Sequence, residues 1–243
     1  MIELFGVGIR AEKDAWLLRS VTARFETGEL TFIVSSNRQA RLALLGVAAG
    51  SFIPTEGRAW ISGAPVTRET RRAIGKRVGD VRPIGARAAQ GSVLSSLLPR
   101  DPLGLRRLIT GRRSAVERDV ALQVLERVGL GPCALDPVAA LDEWRRRRLA
   151  IARALIPRPD HLICREVDDG LSLSEAGHVV GVLRTLARSE RLPTLVSAAD
   201  SRLVSLFADR IVIVSDGALT FDGPPNTARP EAGPAQVELA RAG

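Results

Sequence analysis

The chain has 243 residues, with 35 Lys and Arg against 27 Asp and Glu and a formal net charge of +8. At 26% charged and 45% hydrophobic it lies in the range of soluble globular proteins, which excludes a disordered or collagen-like chain. The length allows one large domain or two small ones.

The first third is β-rich. Residues 18–25 alternate, Gly28-Glu29 makes a turn, and residues 30–34 form a short apolar strand of the fully buried kind. A polar loop of Ser35, Ser36, Asn37, Arg38, Gln39, Ala40 and Arg41 follows, and then a helix over 42–49 that stops at Gly50. Residues 54–57 turn into a strand over 58–62, closed by Gly63. From 82 to 136 the chain is punctuated by Pro and Gly and holds an amphipathic segment at 115–128, which reads as an inserted helical subdomain. Beyond it the pattern predicts a helix over 146–155, a strand over 161–164 and a helix over 174–187. A strand over 194–197, a helix over 201–207 and a strand over 211–214 follow, before the turn Asp216-Gly217. This alternation implies a parallel sheet covered on both faces. The tail after Gly223, rich in Pro, Ala and Gly, reads as weakly ordered.

Cys133 and Cys164 form neither a disulfide framework nor a metal spacing, which suits a reducing compartment. His161 and His178 have no partner at metal spacing and are expected to have local structural roles. The first five residues lack the regions of a signal peptide, and the longest apolar stretch, 42–50, is far shorter than the roughly 20 residues that cross a bilayer. Lys13 and Lys76 are the only lysines, so the positive charge is almost all arginine. That excess fits an anionic partner such as nucleic acid, an acidic membrane surface or phosphates, and fits equally an arginine-rich composition on an ordinary surface.

A buried strand, a loop and a helix is the layout of a phosphate-binding loop. Its chemistry requires glycines, whose backbone N–H groups turn inward on the anion, a lysine for the terminal phosphates and a hydroxyl for Mg²⁺. The segment from Ser35 to Arg41 has no glycine, Arg41 stands where the lysine would, and Leu42 and Ala43 replace the hydroxyl residues. The loop by itself gives no phosphate-binding assignment.

The frame around it does. Leu44-Leu45 through Ala49-Gly50, with Pro54-Thr55-Glu56-Gly57-Arg58-Ala59-Trp60-Ile61-Ser62-Gly63, is similar to the stretch after the phosphate loop in the ATP-binding cassette of ABC transporters. Arg146-Arg147-Arg148-Leu149-Ala150-Ile151-Ala152-Arg153-Ala154-Leu155 resembles that family's helix after its signature almost residue for residue. Phe207-Ala208-Asp209-Arg210-Ile211-Val212-Ile213-Val214, Asp216-Gly217 and Phe221-Asp222-Gly223-Pro224 look like its last strands and turn. Residues 122–130 resemble the helical subdomain of importer cassettes, and 102–113 and 195–200 the phosphonate-uptake branch. The resemblance covers about 2–225. It implies an α/β P-loop NTPase fold: a RecA-like parallel sheet core, an N-terminal antiparallel β subdomain and a helical subdomain at about 82–157. A single cassette would span 1–225, with a tail at 226–243.

Carried over residue by residue, the family's functional positions are altered. The signature, normally Leu-Ser-Gly-Gly-Gln, reads Leu141-Asp142-Glu143-Trp144-Arg145, so acid and bulk stand where a helix N-terminus should approach phosphate. The glutamine expected near Gly79-Asp80 is missing. The strand ending in Asp-Glu ends instead in Arg165-Glu166: the water-activating position is kept, whereas the magnesium-anchoring aspartate is lost. Ser172 replaces the final Asp of the following loop, and the switch histidine falls on Ala199. Arg41 and Arg165 could face phosphate together in place of lysine and metal, or Arg165 could pair with Asp168 or Asp169.

The resemblance implies ATP as cofactor. Poor binding is expected, because no aromatic lies between Gly8 and Lys13 to stack on adenine, and Mg²⁺ is not expected. It implies a membrane permease and a second cassette, in a homo- or heterodimer, as partners at the cytoplasmic face of the cell membrane; nucleic acid is not expected. Losing several transition-state stabilisers at once leaves little hydrolysis, and Glu166 has no use without a metal-bound nucleotide. The reading is a non-catalytic cassette with a structural or regulatory role. The alternatives are an unorthodox but competent ATPase importing a small solute, and a soluble anion- or nucleic-acid-binding protein on this scaffold.

Overall fold

The computed structural model describes residues 1–11, 15–82, 84, 91–98 and 111–227, of which 111–114 by backbone alone. In chain order the elements are β1 (Ile2–Arg10), β2 (Trp16–Phe25), β3 (Leu30–Val34), α1 (Arg38–Ala48), β4 (Glu56–Ile61) and β5 (Ala64–Pro65). There follow α2 (Arg71–Gly75), β6 (Val78–Val81), α3 (Val93–Leu97), α4 (Gly111–Arg127) and α5 (Glu143–Leu155). The last are β7 (His161–Cys164), α6 (Leu173–Glu190), β8 (Thr194–Val196), α7 (Ser201–Phe207), β9 (Arg210–Ser215) and β10 (Ala218–Gly223). Two compact units result, one from Met1–Asp80 with the chain from Pro159 onward, the other from Val81–Arg158.

The first unit holds two sheets. One is antiparallel, in the order β2-β1-β4-β5. The other runs β10-β9-β3-β8-β7-β6, with β3 parallel to both β8 and β9, β7 parallel to β8, and β10 antiparallel to β9. Central position explains the unbroken apolar run of β3, since strands covered on both faces have no polar side. Leu30, Thr31, Phe32 and Ile33 are all buried there. The alternation of β4 is of the one-sided kind: Ala59 and Ile61 enter the core while Glu56 and Arg58 face water. Strand β1 shifts register between Leu4 and Val7, and again at Ile9, and these bulges hide its period from the sequence. At the bulge the chains nearly touch: a Cβ on Gly57, at φ +73°, would stand 2.2 Å from the Gly6 carbonyl oxygen.

Helix α1 packs Leu44, Leu45 and Val47 into the core shared with Ile33, Ile163, Leu195 and Val212. Its start corrects the expected loop. The helix begins at Arg38, not Leu42, because the Asn37 side chain accepts hydrogen bonds from the N–H groups of Gln39 (2.9 Å) and Ala40 (3.3 Å). A capping asparagine satisfies first-turn donors that otherwise have no partner. Arg38, Gln39, Ala40 and Arg41 are therefore helical.

In the second unit α4 contains the expected amphipathic segment, with Ala121, Val124 and Leu125 buried. It packs on α3, where Val93, Leu94 and Leu97 are buried, and on α5, where Leu149, Ile151 and Leu155 are buried. Helix α5 begins at Glu143, three residues before the expected start, with Asp142 as its N-cap. Residues 102–110, which carry part of the phosphonate-branch resemblance, and the tail from 228 lie outside the described residues. Among the described residues no helix is long and apolar enough to cross a membrane.

Candidate functional site

Because β3, β8 and β7 run parallel, their carboxyl ends lie at one edge of the sheet, where open α/β sheets bind ligands. From β3 come Ser35, Ser36 and Asn37 and then the first turn of α1. From β7 come Arg165, Glu166 and Asp168, and from β8 come Ser197, Ala199 and Asp200. The sequence-predicted residues of the first unit thus gather at that edge, where Arg38, Arg41, Arg165 and Glu166 have partners within the chain.

Arg38, on the exposed first turn of α1, grips Glu166 with two nitrogens. Nε bonds Oε1, and Nη2 bonds Oε2 at 2.5 Å. The hydrogen bond to Glu166, and then the charge of that carboxylate, hold the guanidinium above its usual pKa. Glu166 itself is left-handed, φ +48°, a conformation costing an ordinary residue roughly 1–2 kcal/mol. Ser197 holds it there: its hydroxyl accepts the Glu166 N–H at 3.0 Å, its carbonyl accepts the Val167 N–H at 2.9 Å, and its own N–H donates to the Cys164 carbonyl at 3.1 Å.

Arg165 points the other way and forms an ion pair with Asp80, at the end of β6. This corrects the expected pairing with Asp168 or Asp169. Asp168 is instead committed to backbone, accepting the N–H groups of Ala199 (2.8 Å) and Asp200 (2.7 Å). Nor do Arg41 and Arg165 face phosphate together. Arg41 folds back to donate from Nη1 to the Ser35 carbonyl, and its buried Nε has no hydrogen-bond partner. Ser35 is buried, and Ala43 is wholly within the core. Ser172, at the place of the loop's last Asp, caps α6 in a reciprocal box with Glu175.

The altered signature belongs to the second unit. Leu141 is buried; Asp142 makes no side-chain cap and pairs with Arg145. Glu143 lies 3.3 Å from Arg146 and 3.7 Å from the buried Arg147. The Trp144 ring carries Arg145 at 4.4 Å and Arg148 at 4.8 Å from its centroid.

As arranged, the polar groups at this edge are committed within the chain. Two N–H groups of the first turn of α1, those of Gln39 and Ala40, donate to Asn37 Oδ1. Asp80 and Glu166 face guanidiniums, and Asp168 faces amides. Among the described residues no group of three or more His, Cys, Asp or Glu is placed to hold a metal ion. Sequence reasoning missed the roles of Asn37, Arg38, Asp80 and Ser197. The cap was visible as an asparagine in a polar loop just ahead of a helix, whereas the ion pairs join positions far apart in the chain.

Comparison with known proteins assigns the architecture. No family model matches the chain. It is 30% identical over 228 residues to the phosphonates import ATP-binding protein PhnC 2 of Cupriavidus metallidurans, covering 92% of this chain and 81% of that one. The chain belongs to the ATP-binding cassette family of ABC transporters. A second phosphonates import ATP-binding protein PhnC 2, from Rhodopseudomonas palustris, is 30% identical over 234 residues, covering 92% of this cassette and 79% of its own length. Among solved structures, the ADP conformation of the ABC transporter cassette MJ1267 aligns with a TM-score of 0.80 at 16% identity, over 100% of this cassette and 99% of that chain. CbiO1 from Clostridium perfringens, part of the ABC transporter complex cbiONQ, aligns at 0.79 and 18%, over 93% and 88%. The fold is accordingly the expected P-loop NTPase fold.

Proposed function

We propose that this cassette serves a phosphonate-type importer as a non-hydrolysing subunit, docked on a membrane permease at the cytoplasmic face and paired with a second cassette. The transport setting rests on relatives named for phosphonate import. One observation carries the loss of hydrolysis: the only carboxylate at the water-activating position, Glu166, is chelated by Arg38. Each carboxylate oxygen already accepts a guanidinium hydrogen bond, which lowers the basicity that a general base needs. Arg165, replacing the metal-anchoring carboxylate, supports the same reading.

The second reading is a competent ATPase importing phosphonates, which the names of the relatives favour equally. The two separate in one assay. Purified cassette with millimolar Mg-ATP should release phosphate no faster than buffer. Turnover at ordinary cassette rates, abolished by Glu166→Gln, would establish the competent enzyme instead.

A further inference from the structure

We propose that the Arg38–Glu166 and Arg165–Asp80 pairs form a latch that takes over, from within the chain, the tie a magnesium nucleotide would make, holding the loop before α1 closed without ligand. The proposal rests on the reading of the site as non-hydrolysing.

Position is the first argument. In the sheet order β3-β8-β7-β6, Arg38 starts the helix fed by β3, Glu166 and Arg165 follow β7, and Asp80 is the penultimate residue of β6. Two ion pairs in series therefore span the sheet edge from β3 to β6, passing over β8, whose Ser197 fixes the backbone between them. In phosphate-loop enzymes that span is bridged by the phosphates, the loop lysine and the metal.

Charge is the second. Arg38 faces Glu166 and Arg165 faces Asp80, so these four formal charges cancel pairwise. An entering polyanion gains only what remains after breaking a pair. The pairs are unequal in this respect. Arg165 and Asp80 are 24% and 13% exposed in their side chains, against 65% for Arg38 and 22% for Glu166. The Arg38 end is the one that water and a ligand can open, and bidentate geometry is what keeps it closed.

The experiment uses full-length chain in five forms: wild type, Arg38→Glu, Glu166→Arg, the double charge swap, and Arg38→Ala/Arg165→Ala. Thermal unfolding is read for each, with circular dichroism confirming the fold, and phosphate release from Mg-ATP is read for wild type. Each single reversal should lower the midpoint and the swap should restore it. The double alanine form, with both ties removed, should melt below wild type. A swap no more stable than the sum of its single reversals overturns the latch, as does a double alanine form that melts with wild type. Phosphate release by wild type would instead defeat the non-hydrolysing reading, so the two failures are told apart.

Discussion

His161 Nε2 stands 3.0 Å from the Ala48 carbonyl oxygen, so the first residue of β7 ties down the C-terminus of α1 from inside the core. His161 is fully buried, and its Nδ1 has no hydrogen-bond partner. A second ring proton would enter apolar surroundings with nothing to receive it.

Burial therefore pushes the His161 pKa down to about 4; the Ala48 carbonyl and Asp160 raise it, and the amino terminus and Arg77 lower it, by less than burial does. The unfolded chain titrates near 6.5, so between about 6.5 and 4 it binds a proton that the folded chain refuses. The contribution of His161 is complete above pH 6.5 and lost as the pH falls toward 4, about 3 kcal/mol in all. Urea unfolding at pH 7.5 and pH 4.5 should show this loss in wild type. His161→Gln, which keeps an N–H donor without titrating, should flatten it; an unchanged slope in that variant assigns the acid lability to other groups.

Capping by Asn37 is the second quantity open to measurement. Its Oδ1 accepts from Gln39 and Ala40, and no acidic residue lies in the first turn of α1 to compensate its loss. Asn37→Ala should lower unfolding stability by about 1 kcal/mol, whereas Asn37→Asp should hold it near wild type. Equal stability of all three in urea titrations rules out the cap.

How much of this was legible in the sequence depends on range. Elements set by local period, such as β3, β7 and α7, lie where apolar patterning puts them, because one stretch of chain carries the whole signal. The start of α1 was not, since a phosphate-loop template stretches the loop to Arg41 while the side chain of Asn37 ends it four residues sooner. The site itself was least legible. Arg38 and Glu166 are 128 positions apart, Arg165 and Asp80 are 85 apart, and only the strand order brings them together. Arg165 has acids nearby in sequence, but Asp168 turns to the amides that follow β8. Replacement of a functional residue can also serve packing: Ser172 takes up the cap of α6.

Gly57 tests the close approach of β1 and β4. Alanine there would bring Cβ to 2.2 Å from the Gly6 oxygen and 2.4 Å from the Phe5 oxygen, both backbone, at φ +73°. Relief means parting the strands, so Gly57→Ala should cost about 2–4 kcal/mol. Gly28→Ala is the matched control: φ is +86°, but nothing lies within 4 Å, so only the strain of about 1–2 kcal/mol applies. Equal unfolding midpoints for the two would show that the sheet gives way at the bulge.

The arginine run that opens α5 bears on nucleic acid. Affinity for a polyanion comes from releasing counterions as free cations meet phosphates. In this run Arg145 bonds Asp142 and covers Trp144, Arg146 lies 3.3 Å from Glu143, Arg147 is buried beside the same carboxylate, and Arg148 lies over the Trp144 ring. Burial, and then the charge of Arg145, lower the Arg148 pKa, so its guanidinium is already in an unfavourable place for a cation. The run offers far less free charge than four arginines suggest. Anisotropy of a labelled DNA duplex at about 0.15 M salt should give binding no tighter than roughly 10 µM, with a shallow slope against salt. Arg145→Ala/Arg146→Ala should leave both unchanged. A steep slope that this double variant flattens would make the run a nucleic-acid contact after all.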